Sequence, residues 1–256
     1  MNTTLVTIGP SHFCEKARWG LDIKGVPYAE DAHVPMFHWR RTRKHARRTV
    51  PLLEAGDRVL TQSTEILAWA DEVGERGPRL FPADPTARAE VDAQVKLWDD
   101  KLGVHARRAV YDVILPSAAC TRAVFEGSPA WEQTALRVGL PVWRALLVKG
   151  LGITPEKCDR SRARLTELFA EATALLAANG GYLAGPVFTA SDLTFASLSA
   201  IVLMPPEYGW ALPDLDALAA SGALPGADKA VAFRDSLRAT PAGQHALRVY
   251  REHRRP

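Results

Sequence analysis

The sequence predicts a two-part fold, with an α/β region at residues 1–76 and an all-helical region at residues 87–256. In the first region, β-prone runs alternate with helical apolar patterns, whereas the patterns after it have only the helical period. Between the two regions, residues 77–86 are rich in glycine and proline, which interrupt regular structure. We therefore expect these residues to form a linker between two domains.

The first element is predicted to be a strand at residues 3–8, because β-branched residues dominate that run. Gly9 and Pro10 end the strand, and Ser11 stands where a helix should begin. The residues at helical spacing in this helix, expected to face inward, are Cys14, Ala17 and Leu21. Those expected to face solvent are Glu15, Lys16 and Arg18.

Ser11 has two interpretations at the start of this helix. It can be an ordinary N-cap, whose hydroxyl accepts a hydrogen bond from one of the first backbone N–H groups. Alternatively, its hydroxyl serves a ligand, because the positive end of a helix favours an anion such as a thiolate. The stretch by itself leaves both interpretations open.

A second strand is predicted at residues 28–34, followed by a basic segment at residues 37–48. The basic residues of this segment are Arg40, Arg41, Arg43, Lys44, Arg47 and Arg48. They can form a solvated surface, a contact for carboxylate or phosphate groups, or a nucleic-acid patch. The last is least favoured, because Trp39 is the one aromatic residue alternating with these charges.

The rest of the first region predicts a hairpin and a third helix. Residues 49–54 and 58–61 are its two strands, and Pro51 stands at the start of the first, where a missing N–H is tolerated. The helix opens at Gln62, with Ser63 as a cap and Glu65 in the first turn.

The second region predicts several long helices. A stripe beginning at residue 87 can run to Leu115, and another helix is expected between residues 129 and 149. Thr154 and Pro155 signal the start of a helix that stops at residues 179–181. A reciprocal cap between Thr189 and Asp192 opens a helix that is apolar nearly all round and so should be buried. Lesser helices are expected at residues 214–220 and 228–238.

Composition excludes several classes of protein. No apolar run is long enough to cross a bilayer, and the N-terminal residues lack a signal-peptide pattern, so we expect a cytoplasmic protein without membrane partners. The three cysteines and seven histidines have no metal-ligand spacing, so no metal is expected. The net charge of +3 is too small to indicate nucleic acid.

Taken together, the chain resembles the glutathione S-transferase family along its length. The matching features are the Ser11 to Trp19 motif after the first strand, Val50-Pro51, Gln62-Ser63, and the cap from Thr189 to Asp192 in a helical region. The resemblance implies a thioredoxin-like domain at residues 1–76 that binds glutathione as co-substrate. The helical domain at residues 87–256 would then form the pocket for a small hydrophobic electrophile.

The resemblance also implies roles for individual residues. Ser11 would direct its hydroxyl at the glutathione sulfur, and Phe13 would contact glutathione. Val50 would pair through its backbone with the glutathione peptide, beside a cis peptide bond to Pro51. Gln62 and Ser63 would hold the γ-glutamyl end. A homodimer is likewise expected from the resemblance.

The thiolate chemistry is physically reasonable for Ser11. A free thiol has a pKa near ~8.5, and lowering it by about two units needs roughly 2.7 kcal/mol. A hydrogen bond to a charged acceptor supplies on the order of 1.5–3 kcal/mol, and a helix N-terminus about 0.3–1 kcal/mol. Ser11 and its helix can therefore supply the shift without a metal.

Two features depart from the family pattern. Arg48 and Thr49 replace the Gly-Lys that family members often carry before Val-Pro, so we expect Trp39 or an arginine of the basic segment to contact the glycyl carboxylate. The stretch 105–157 is longer than in compact members. Its large aromatic residues, which can line the electrophile pocket or belong to the core, are Tyr111, Trp131 and Trp143.

The sequence favours conjugation of glutathione to an electrophile and leaves two alternatives. One is glutathione-dependent thiol–disulfide exchange through Cys14, which is less favoured because a cysteine on the inward stripe should be buried and inert. The other is a non-catalytic interaction module that uses the basic residues 40–48.

Overall fold

The computed structural model of the chain describes residues 3–254. Its first part is a four-stranded mixed sheet in the order β2-β1-β3-β4. The strands are β1 (Thr3–Ile8), β2 (Ala29–His33), β3 (Leu52–Ala55) and β4 (Arg58–Leu60). β2 runs parallel to β1, whereas β3 runs antiparallel to both β1 and β4. The predicted strands and hairpin are confirmed, except that β3 begins at Leu52, after Pro51, and not at residue 49.

Three helices complete this part: α1 (His12–Ile23), the short α2 (Trp39–Thr42) and α3 (Ser63–Val73). A 3₁₀ turn at Arg43–His45 extends α2. α1 and α3 pack together, and Leu21 and Ile66 meet Leu5 and Leu53 of the sheet in a shared core. The first part therefore has the expected thioredoxin-like α/β fold.

The second part is largely helical, as predicted. Its helices are α4 (Pro85–Leu97), α5 (Gly103–Ile114), α6 (Ala118–Ala123), α7 (Ala130–Leu151), α8 (Pro155–Ala178), α9 (Ala190–Leu203), α10 (Leu215–Ala220), α11 (Ala227–Arg238) and α12 (Pro241–His253). A π-helical turn at Trp98–Leu102 joins α4 to α5. The sequence analysis did not identify α6 or α12, although Ala242, Ala246 and Val249 form a buried stripe in α12 at helical spacing.

The helix α9 lies at the centre of this second part, and each of its residues is buried. Its start has the predicted reciprocal cap. The Asp192 carboxylate accepts hydrogen bonds from the Thr189 N–H (2.9 Å) and hydroxyl (3.0 Å), and the Thr189 hydroxyl oxygen accepts one from the Ser191 N–H (3.3 Å). α9 packs against α1 of the first part, so one buried helix joins the two parts.

The expectation that the charged residues of α1 face solvent is wrong. Glu15 and Lys16 are 0% exposed and Arg18 is 2% exposed, because α1 lies between α3 and α9 and has no solvent face. Each charge has a partner from another segment. Lys16 pairs with Asp99 at 2.8 Å, Arg18 with Glu30 at 2.6 Å, and Glu15 with Arg254 at 2.8 Å.

The segment between α3 and α4 is anchored at its centre. Leu80 and Phe81 are buried, and the Asp71 carboxylate accepts hydrogen bonds from their backbone N–H groups at 2.9 and 3.0 Å. Within residues 3–254, no helix is long and apolar enough to span a membrane.

Candidate active site

A cavity of about 580 Å³ opens between the two parts of the molecule. The first part contributes the start of α1 and the loops after β2 and before β3. The second part contributes side chains from α5, the end of α9 and α11, which are mainly apolar. Ser11 lies in the wall of this cavity.

The backbone of Ser11 takes part in the turn before α1, but its side chain does not cap the helix. Its N–H donates to the Ile8 carbonyl and its own carbonyl accepts from the Glu15 N–H, both at 2.9 Å. No N-capping hydrogen bond from the hydroxyl is found in the part of the chain that the structure describes. The hydroxyl therefore borders a cavity at the positive end of a helix.

Side chains distant in sequence hold the turn that presents Ser11. Arg18 donates to the Gly9 carbonyl at 2.9 Å, and the Tyr208 hydroxyl donates to the Pro10 carbonyl at 3.1 Å. Trp210 packs so closely on Gly9 that a Cβ there would lie 2.2 Å from its ring. Sequence reasoning missed Tyr208 and Trp210, since no local pattern connects them with the turn.

Cys14 lies one helical turn beyond Ser11, inside the core. It is 0% exposed, and burial raises the pKa of its thiol. The Arg18 charge, a hydrogen bond with the Ile8 backbone and a hydrogen bond with the Ser11 side chain oppose this shift but are smaller. Burial and a raised pKa both disfavour the thiolate, which is the reactive form of cysteine. The predicted burial of Cys14 is confirmed, and its lack of reactivity stays a prediction.

The structure brings some of the expected glutathione-binding residues to the cavity and leaves others outside it. Phe13 and Val50 line the cavity, and the peptide bond from Val50 to the buried Pro51 is cis. Gln62 and Ser63 stand at the start of α3 and do not line it. Gln62 is exposed and Ser63 buried.

The loop before β3 adds a wall from the basic segment. The rings of His38 and Trp39 are both held by the Arg48 carbonyl, at 2.9 Å from His38 Nε2 and 3.0 Å from Trp39 Nε1. Nδ1 of His38 accepts from the Met36 N–H, and burial lowers the pKa of the ring, which fits a neutral imidazole with its proton on Nε2. Trp39 and Arg48 thus line the cavity together.

Much of the remaining charge in the basic segment is paired with carboxylates on the sheet. Arg41 lies 2.8 Å from Asp31, and Lys44 and His45 lie 2.6 and 2.8 Å from Glu54. These ion pairs are partly exposed, so this part of the segment is a solvated surface with its own counter-charges.

The three large aromatic residues of the long stretch 105–157 have different surroundings. Tyr111 lines the cavity. Trp143 is a core residue, and its indole N–H donates to the Pro35 carbonyl at 3.1 Å. Trp131 is half exposed on the outside of α7, with the Arg40 guanidinium 5.0 Å from its ring centroid.

The fold is that of the glutathione transferases, as solved structures show. Beta-etherase LigF from Sphingobium sp. strain SYK-6 is 20% identical, and the match covers 97% of this chain and 99% of that chain with a TM-score of 0.59. Human glutathione-S-transferase T1-1 is 19% identical, with 99% and 91% covered and a TM-score of 0.55. Glutathione S-transferase-I bound with lactoylglutathione is 16% identical, with 97% and 100% covered and a TM-score of 0.56.

The first part of the chain carries the family's sequence pattern as well. Residues 10–73 match the model of the glutathione S-transferase N-terminal domain. The sequence match to the glutathione S-transferase family lies in this N-terminal domain, and the second part resembles the family in its fold.

A curated relative, maleylpyruvate isomerase from Ralstonia sp., is 29% identical over 143 residues. Those residues are 54% of this chain and 64% of that protein, so the chain spans less than two thirds of the relative's length.

Proposed function

We propose that the protein is a glutathione transferase in which Ser11 stabilises the glutathione thiolate. The observation that supports this most directly is the Ser11 side chain, which lies in the cavity wall at the N-terminus of α1 without capping the helix. Residues 1–76 would hold glutathione, and residues 87–256 would hold the electrophile. The protein would work as a cytoplasmic homodimer.

The reaction follows from the placement of charge around Ser11. The Ser11 hydroxyl donates a hydrogen bond to the sulfur, and the first N–H groups of α1 add a positive potential, so the thiol loses its proton to solvent more readily. The thiolate then forms a C–S bond with the electrophilic carbon, and a leaving group departs with the bonding electrons. A hydroxyl in this position acts as a hydrogen-bond donor and is not itself a nucleophile.

Glutathione would lie with its peptide along Val50 and its γ-glutamyl end towards Gln62 and Ser63. Its glycyl carboxylate would point towards Trp39 and Arg48, which line the cavity together. The position of Gln62 and Ser63 outside the cavity fits a tripeptide that extends from the cavity along the surface of the first part.

Isomerisation is the alternative outcome of the same thiolate chemistry, and the resemblance to a maleylpyruvate isomerase favours it. Here the thiolate would add to an activated carbon–carbon double bond, the resulting single bond would rotate, and the thiolate would leave again. Glutathione is recovered in this reaction but consumed in conjugation. Measuring free thiol during turnover therefore separates the two outcomes.

The test of the proposed function is conjugation of glutathione to 1-chloro-2,4-dinitrobenzene by wild type and Ser11→Ala. We expect kcat/KM to fall about 100-fold in Ser11→Ala, the usual effect of removing one donor to a developing anion. Ser236→Ala removes an exposed hydroxyl on α11 and should leave activity unchanged. Equal activity of wild type and Ser11→Ala would contradict the role of Ser11, and failure to bind glutathione would contradict the function itself.

A further inference from the structure

The strongest unexplained feature of the cavity is Arg107, on the face of α5 that lines it. This side chain is half buried. Within residues 3–254, it forms no hydrogen bond or ion pair with a carboxylate. A half-buried guanidinium that lines a cavity and has no carboxylate partner in the protein is available to bind an anionic group of a ligand.

The packing of α5 on α1 places Arg107 close to His12, the residue after Ser11. His12 Nε2 lies 2.8 Å from the Gly103 carbonyl, and the Phe13 ring packs where a Cβ of Gly103 would lie. Arg107 follows Gly103 by four residues, which is one turn further along the same face of α5. Burial, together with the charge of Arg107, lowers the pKa of His12 to about 3. Burial raises the pKa of Tyr111, and the charge of Arg107 opposes that rise.

The carboxylates that line the cavity form ion pairs with another arginine. Asp112 and Asp159 both line the cavity, and both accept hydrogen bonds from Arg162, at 2.9 and 2.6 Å. The other lining cations, Arg48 and Lys229, are exposed at the rim. Both lining carboxylates therefore pair with Arg162, and neither forms an ion pair with Arg107 in the described part of the chain.

We propose that Arg107 is a specificity-determining residue that binds a carboxylate of the electrophile, so that the preferred substrates are organic acids. A guanidinium binds a carboxylate through two parallel hydrogen bonds, which gives orientation as well as affinity. The Tyr111 side chain, one turn along α5, lines the same wall and can donate its hydroxyl to the same group. This inference rests on the proposed function and narrows the hydrophobic electrophile to an anionic one.

Binding without turnover is the first test. 3-Nitrobenzoate and 3-nitrobenzamide have nearly the same shape and differ in charge, and neither has a leaving group. Each is titrated calorimetrically into protein saturated with S-methylglutathione, and also into protein without it. We expect wild type to bind the benzoate about 10-fold more tightly than the amide, and Arg107→Gln to lose this preference.

Matched variants separate a local role from a change in overall charge. Arg108→Gln removes the same charge from the next position on α5, where the side chain donates to Ser161 at 3.0 Å and does not line the cavity. It should keep the preference for the benzoate. Arg107→Lys keeps the charge but not the paired hydrogen bonds, so it should keep part of the preference.

Turnover is the second test, with 4-chloro-3-nitrobenzoate and 4-chloro-3-nitrobenzamide as electrophiles. In Arg107→Gln, we expect the ratio of kcat/KM for the acid to that for the amide to fall about 10-fold, mostly through KM. If neither electrophile is conjugated, the proposed function fails while the benzoate titration still tests the anion site.

Three results would overturn the inference. The first is a wild type with no preference for the benzoate, and the second is an Arg107→Gln variant that keeps the full preference. The third is weaker binding of S-methylglutathione in Arg107→Gln with unchanged benzoate binding, because the arginine would then bind a carboxylate of glutathione.

Discussion

The starts of α1 and α9 place the same kind of residue in two different environments. Both helices begin after a hydroxyl residue, Ser11 for α1 and Thr189 for α9. The Thr189 hydroxyl is buried and bonded to Asp192 and Ser191, whereas the Ser11 side chain lies in a cavity wall and does not cap its helix. A hydroxyl used within the protein stabilises the fold, and a hydroxyl left at a cavity can serve a ligand.

The largest effect should follow from removing the carboxylate at the start of α9. Asp192 is 0% exposed. Its carboxylate accepts hydrogen bonds from the Leu183 N–H (2.8 Å) and from both donors of Thr189. It also lies 3.0 Å from Nε2 of His245. Asp192→Ala leaves these buried groups without a partner and should lower the free energy of unfolding by about 3–5 kcal/mol. Urea unfolding checks this, and a loss below about 1 kcal/mol would mean that the cap is dispensable.

Thr189→Ala tests the other residue of the same cap and should cost less stability than Asp192→Ala. It removes one hydroxyl but leaves the bond between the Thr189 N–H and the Asp192 carboxylate, so we expect a loss of about 1–2 kcal/mol. Ser11→Ala should cost less than about 0.5 kcal/mol in the same assay, since it removes no N-capping bond. If Thr189→Ala and Ser11→Ala lose the same free energy of unfolding, the two hydroxyls do not differ in their contribution to stability.

The neighbour of Ser11 should make stability depend on pH. Burial, and then the charge of Arg107, lowers the pKa of His12 to about 3, so this ring stays neutral in the folded protein. The unfolded chain takes up a proton at this ring below a pKa of about 6.5, and the folded chain does not, so stability falls as pH falls from that value towards 3. The loss contributed by His12 should be on the order of 3 kcal/mol at pH 4.

His12→Gln checks this assignment, because Gln keeps an N–H that can reach the Gly103 carbonyl but does not titrate. Urea midpoints measured between pH 7 and pH 4 should fall less steeply in the variant than in wild type. Parallel curves would show that another group causes the acid sensitivity.

The smallest effect on activity should come from Cys14, which lies near Ser11 but in the core. Because Cys14 is fully buried with a raised pKa, Cys14→Ala should keep most of the conjugation activity and lose stability only by about 1 kcal/mol. Thiol–disulfide exchange on a glutathionylated peptide should be slow in both proteins. A complete loss of turnover in Cys14→Ala would favour the redox alternative.

Local sequence patterns predicted the order of strands and helices and the position of Ser11 at a helix start, and the family resemblance predicted the thioredoxin-like arrangement. The turn at Gly9 and Pro10, the hairpin, and the cap from Thr189 to Asp192 are each encoded by neighbouring residues. The charged residues of α1 were misassigned because their burial depends on Asp99, Glu30 and Arg254, which come from distant segments. Two residues that the sequence analysis missed have no local pattern: Arg107 lines the cavity, and Tyr208 holds the turn before α1 from the second part of the chain.

The most direct measurement is the pKa of the glutathione thiol in the complex, followed by thiolate absorbance across a pH series in wild type and Ser11→Ala. We expect the wild-type thiol to titrate about two units below a free thiol, whose pKa is about 8.5, and the Ser11→Ala complex to titrate clearly higher. Identical thiol pKa values in the two complexes would show that Ser11 does not stabilise the thiolate.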